Sequence, residues 1–168
     1  MQTLRVHFYN PVLDKDGLLN KLVALSDPPY CHCELEFADG QSCAVYMGGV
    51  VHLKTRQFDP ASYDTVAVPC TPDGHAKALL LAQTLTAERQ AFSTRTMLSS
   101  RFGSIPPADL RVYTCCSKLC AELLFEAGVF PSDVAPAKLT PSALHKTIVS
   151  SPPLVCDSVV IDFGGRGE

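Results

Sequence analysis

Apolar and polar residues alternate through much of the first seventy positions. "LRVHFY" (4–9) alternates and is rich in β-formers, which predicts a strand. "DKDGLLNKLVALSD" places apolar residues at Leu18, Leu19, Leu22, Val23 and Leu25, the spacing of a short amphipathic helix. The "PPY" that follows ends it, because proline cannot continue the helical ladder. "CHCELEF", "SCAVYM" and "VVHLKTRQF" predict three further strands, separated by "ADGQ" and by a Gly-Gly pair, both hairpin signals. "YDTVAVP" reads as the fourth strand of this meander.

The period then lengthens. "GHAKALLLAQTLTAERQA" (74–91) predicts a helix with Leu79, Leu81, Ala82 and Leu85 on its apolar side. "STRTMLSSRFGSIPPADLRV" reads as irregular, broken by Gly103, Pro106 and Pro107. A cysteine-rich helix follows and ends near Gly128, where a left-handed cap suits glycine. "TPSALHKTIV" predicts a short helix with Thr140 as cap and Pro141 in its first turn, and "SVVIDF" a last strand. The sum is an α+β fold, an antiparallel sheet packed against helices.

Composition narrows the setting. The chain has 168 residues, 46% of them hydrophobic, enough for one compact domain spanning 1–168. A net charge of -3 gives no general electrostatic footprint for nucleic acid. No run of about twenty apolar residues predicts an integral membrane segment. "MQTLRVHFYNPVLDKDG" turns polar too early for a secretory signal. Eight cysteines without such a signal point to a reducing, cytoplasmic setting and to free thiols rather than a disulfide framework.

Three of those cysteines open the helix in "RVYTCCSKLCAELLFEAGVFP". With Thr114 as N-cap, its hydroxyl accepting from the Ser117 amide, the helix sorts into faces. Cys116, Leu119, Cys120, Leu123 and Ala127 form an apolar stripe, while Lys118, Glu122 and Glu126 fall opposite with Cys115 leaning towards them. Cys116 thus sits in the first turn and faces the body of the protein. There a helix N-terminus and a nearby imidazolium would lower a thiol's pKa, and the free amides could hold an oxyanion. This suits nucleophilic catalysis; a buried structural thiol is the alternative for the helix read alone. Cys120, one turn deeper, reads as a small apolar residue.

A nucleophilic cysteine needs a base. Alternation in "CHCELEF" puts Cys33, Leu35 and Phe37 on a core face and His32, Glu34 and Glu36 on the other. An imidazole between two carboxylates would be costly under a helix without a polar purpose. A solvated outer face is the alternative, preferred for Glu36 beside the turn. His7 and His52 on strands are weaker rivals, and His75 and His145 near helix ends read as capping or exposed. A zinc site from Cys31, His32, Cys33 and the Cys115 group fits poorly, because neighbouring strand residues face opposite ways and the chain has no C-x-x-C pair.

Together these residues resemble the permuted branch of the NlpC-type papain-like cysteine hydrolases. That branch includes lecithin:retinol acyltransferase-like proteins, bacterial lipoprotein-type hydrolases, and poxviral and phage members. In it the histidine strand precedes the cysteine helix. "HCELEFADGQS" looks like its His-x-Glu strand with an Asp-Gly turn, "YTCCSKLCAELLFEAGVFP" like its Cys-Ser-x-Leu helix, and "LTPSALHKTI" like the Ser/Thr-Pro-x-x-Leu segment after it. The resemblance spans about residues 4–148, with the first two motifs its specific part. It implies a circularly permuted papain-like fold, Cys116 as nucleophile and His32 as base. Glu34 matches the third position, where it would orient His32 or line the pocket. Ser42 is a second candidate for orienting the ring. The doubled cysteine and Lys118, where the family often carries an acidic residue, depart from the pattern. The implied activity is a thiol hydrolase, peptidase or amidase first and lipid acyltransferase or esterase second, acting on a peptide, amide or acyl-ester without a metal or organic cofactor. If the chain is viral, host cytoplasm or virion is the implied location. A catalytically silent virion or binding protein on the same fold is the rival from another class.

Overall fold

The computed structural model describes residues 1–11, 27–94, 97 and 113–150. Residues 14–26 of the helix expected at 14–27, most of the irregular stretch at 93–112 and the last strand at 158–163 lie outside the described residues.

Five strands form one antiparallel sheet: β1 (Gln2–Tyr9), β2 (His32–Glu36), β3 (Gln41–Ala44), β4 (His52–Thr55) and β5 (Tyr63–Cys70). Helix α1 (Pro72–Ala87) follows. A short parallel pair, β6 (Ala91–Phe92) and β7 (Tyr113–Thr114), precedes α2 (Cys116–Glu126). A 3₁₀ turn (Pro136–Lys138) leads to α3 (Pro141–Ser150). The protein is therefore α+β, as its pattern predicts. No helix among the described residues is long and apolar enough to cross a membrane.

The order across the sheet is β4-β3-β2-β1-β5. β2, β3 and β4 form the expected hairpins, the first turning at Gly40, whose φ of 81° glycine adopts without strain. "YDTVAVP" is a strand, but it does not continue the meander. β5 pairs instead with β1 at the opposite edge, in register from Gln2↔Cys70 to Tyr9↔Tyr63. Residues 56–62 must therefore cross the sheet from one edge to the other, which four strand spacings of about 4.8 Å make feasible for a nearly extended strap.

That crossing divides the two faces. Leu4, Val6 and Phe8 of β1, Cys33 and Leu35 of β2, and Cys43 of β3 join one apolar core with Ala78 and Ala82 of α1, Leu119, Cys120 and Leu123 of α2, and Leu144 of α3. Among the described residues, the opposite, polar face lies under the strap. Phe58 of the strap stacks on the His7 ring at 3.6 Å between centroids and 7° between planes.

Local signals set the helix ends. Thr71 caps α1 by accepting from the Gly74 amide at 3.0 Å, so the helix begins before the expected residue 74. The expected cap of the cysteine helix is displaced by one residue. Thr114 belongs to β7 and its hydroxyl donates to the Cys115 carbonyl at 3.2 Å, leaving extended Cys115 as an N-cap without a side-chain bond. The helix closes at Gly128, with φ 70°. Thr140 caps α3 as expected, accepting from the Ala143 amide at 3.1 Å.

Candidate active site

The sheet is incomplete beside the histidine. β1 pairs with β2 along its whole length, to Tyr9↔His32, but β3 pairs only with Leu35 and Glu36. Beyond Ala44 the chain turns away, and Val45, Tyr46 and Met47 line a cleft of about 570 Å³. Cys116 at the first turn of α2 reaches this cleft, and so does His32. His32 is the first residue of β2 and Cys116 the first of α2, so the ends of the two elements meet at this cleft. Cys116 is 7% exposed and the His32 side chain 15%, so both touch solvent only through the cleft.

The two groups act on each other. Burial alone would push the His32 imidazole down, but the Cys116 sulfur and then the Glu34 carboxylate outweigh it and hold it up at about 10. Cys116 moves the other way. The Cys33 thiol beside it, and then His32, hold it well below the ordinary thiol range despite burial, with the Cys33 backbone adding to the effect. These opposite shifts favour a thiolate–imidazolium pair. Burial pushes the neighbouring thiols of Cys33 and Cys43 upward and that of Cys115 up to about 11.

Glu34 stands next to the ring. Its Oε1 lies 3.3 Å from His32 Nε2, an ion-pair contact without the alignment of a hydrogen bond. The carboxylate is only 1% exposed. It accepts from Ser42 Oγ on Oε2 at 3.1 Å, from Tyr46 OH on Oε1 at 2.6 Å, and from Arg56 Nη1 on Oε1. Burial opposes its charge, but His32, Arg56 and Ser42 outweigh that and keep it below the usual carboxylate range. Tyr46 also stacks on His32, with centroids 4.9 Å apart and planes 23° apart.

Several expectations change. Glu36 is partly exposed on the polar face but not free in solvent: its Oε2 meets His7 Nε2 at 2.9 Å and Arg5 at 3.7 Å. Cys115 does not lean to a polar face. It is 1% exposed, with its sulfur 3.7 Å from Ser117 Oγ, because β7 and the core enclose the start of α2. Lys118 is likewise buried, its ammonium 2.6 Å from Glu122 in a recess that includes Leu81 and Leu85 of α1. His145 is neither a cap nor free. It packs between Phe8 and Tyr30, with centroids 4.9 Å from each. His52 stacks on the far side of Tyr46 at 5.3 Å, and His7 bonds Thr65 and Glu36. His75 receives the Ala38 amide at 3.3 Å.

Arg56 and Tyr46 carried no signal of a role in the sequence. Arg56 falls in the expected strand "VVHLKTRQF", which in the structure ends at Thr55, and Tyr46 sits at the end of an apolar run that predicts only strand. Every described cysteine is a free thiol. No protein-family model, no curated protein and no solved structure matches this chain.

Proposed function

We propose that this protein is a cysteine-dependent hydrolase of the permuted papain-like kind, cleaving an amide or peptide bond through an acyl-enzyme. The observation that carries the reading is the pairing of Cys116 and His32 at one cleft, each shifting the other towards its charged form. The chain order supports the permuted assignment, since the histidine strand (His32–Glu36) precedes the cysteine helix (Cys116–Glu126).

His32 holds the thiol proton as imidazolium, and the Cys116 sulfur attacks the carbonyl carbon. The carbonyl electrons move to oxygen, which amides of the first turn of α2, that of Cys116 included, would steady as donors. Collapse expels the amine, which takes the proton from His32. Water then gives a proton back to His32 as its oxygen attacks the thioester, and Cys116 leaves as thiolate. Glu34 keeps the ring charged in the resting state. No step calls on a metal or an organic cofactor.

A second reading, acyl transfer or ester hydrolysis on a lipid-like substrate, is favoured by the lip of the cleft, where Tyr46 is 40% and Met47 50% exposed. Two experiments test the proposal. Selective labelling by a small electrophile at pH 6 is expected at Cys116 alone; equal labelling of several cysteines would sink the assignment. Turnover of peptide anilides against medium-chain acyl esters separates the two readings, with anilide cleavage expected.

A further inference from the structure

Of all the groups around the site, Arg56 is the one whose position follows from topology alone. β4 and β5 occupy opposite edges of the sheet, so the chain leaving β4 must pass over the polar face. Arg56 is the first residue of that crossing. Its Nη1 reaches Glu34 Oε1 and the Tyr46 hydroxyl, and its Nη2 donates to the Tyr63 hydroxyl at 2.9 Å. The guanidinium also lies over the rings of Phe58 and Tyr63, 5.3 and 5.6 Å from their centroids. His32 approaches Glu34 at the same oxygen, Oε1. One carboxylate oxygen thus serves two cations.

We propose that Arg56 is a positioning residue of this site: by occupying the oxygen of Glu34 that faces His32, it limits how strongly that carboxylate holds the imidazolium. The inference rests on the proposed pairing of His32 with Cys116. The titratable and charged groups around His32 are Glu34 on its own strand, Cys31 just before it, Cys116 from α2, Tyr46 after β3, Tyr9 opposite it on β1, and Arg56, Asp59 and Tyr63 across the cleft. Of these, only Arg56 is a permanent cation. Glu34 does not need Arg56 to keep its place, because Ser42 and Tyr46 hold one oxygen each. Removing the guanidinium therefore leaves the carboxylate where it is and gives its charge to His32 alone.

The test uses the Cys116→Ala protein, so that the thiolate does not mask the effect, with His32 followed by NMR of histidine-labelled protein across pH. Adding Arg56→Gln is expected to raise the His32 midpoint by about one unit. Arg56→Lys keeps a charge without the fork and is expected to fall between the two. A His32 midpoint that stays or falls in Arg56→Gln overturns the proposal. The titration needs no substrate and no reactive thiol. Failure of selective labelling at Cys116 would therefore count against the hydrolase, and failure here against Arg56.

Discussion

Ser42 donates its hydroxyl to Glu34 Oε2 at 3.1 Å, the carboxylate oxygen turned away from His32. The two residues that competed for the role of orienting the imidazole are thus arranged in series. Glu34 touches the ring, and Ser42 holds Glu34.

Glu34→Gln is therefore expected to act on His32 directly. Losing the carboxylate lowers the imidazolium pKa, and the thiolate loses part of its stabilising cation. The acidic limb of Cys116 alkylation by a neutral reagent should move up in pH, while the rate at the plateau changes little. Ser42→Ala should shift the same limb in the same direction by less, since it leaves the charge in place. An unmoved limb in Glu34→Gln would reduce Glu34 to a wall of the cleft.

The adjacent thiols are expected to behave oppositely. Cys116→Ser should remove rapid alkylation at pH 6 and any turnover, because a hydroxyl does not ionise in this range. Cys115→Ser should preserve both, since Cys115 is buried and its thiol is held protonated up to about 11. Peptide mapping after labelling distinguishes them. Label on Cys115 in the parent protein would contradict the assignment.

His7 makes stability depend on pH. Burial lowers its folded pKa below 6.5, outweighing the pull of Glu36. A depressed folded pKa means the unfolded chain takes up the proton first as the solution is acidified. The neutral ring's contribution is thus present above pH 6.5 and is lost as pH falls through the folded value. His145 shifts the same way, also by burial. The urea midpoint should fall between pH 7 and 5, and His7→Gln should fall less steeply over that interval. Parallel curves for parent and variant would refute the contribution.

Much of the site was legible because two periods expose it. Alternation in "CHCELEF" separates His32 and Glu34 from Cys33 and Leu35, and the three-four spacing from Cys116 to Ala127 marks the buried stripe of α2. Both are local patterns with one buried side. The placement of β5 was not legible, since alternation identifies a strand but not the neighbour it pairs with. Lys118 was misjudged for a related reason. A helical wheel puts it opposite the core stripe, yet α1 packs over that side as well. Arg56 reads as one more residue of a strand that in fact stops at Thr55, and only the order of strands brings it to Glu34.

Gly74 offers a test of how closely the helices approach. A Cβ there would stand 2.2 Å from the Ala127 carbonyl oxygen at the end of α2. Alanine ordinarily favours a helix over glycine by about 0.5–1 kcal/mol. Here overpacking should prevail, and Gly74→Ala is expected to destabilise the protein by about 1–3 kcal/mol in urea unfolding. Unchanged or increased stability would mean that α1 and α2 sit further apart.

The strap over the polar face also constrains the order in which the molecule can assemble. β2, β3 and β4 can form as neighbouring hairpins from about 25 residues of chain. None of that brings Arg56 over Glu34, because the crossing acquires its far anchor only when β5 lies beside β1. Cys116 arrives later still in the chain, on a helix that needs the finished sheet to pack against. The complete cluster, with Arg56 tied to Tyr63 of β5 and His32 facing Cys116 of α2, therefore needs elements that follow the hairpins in the chain. On the proposed pairing, a chain stalled before those elements join leaves each group without its partner, and reactivity at Cys116 would then measure completed folding.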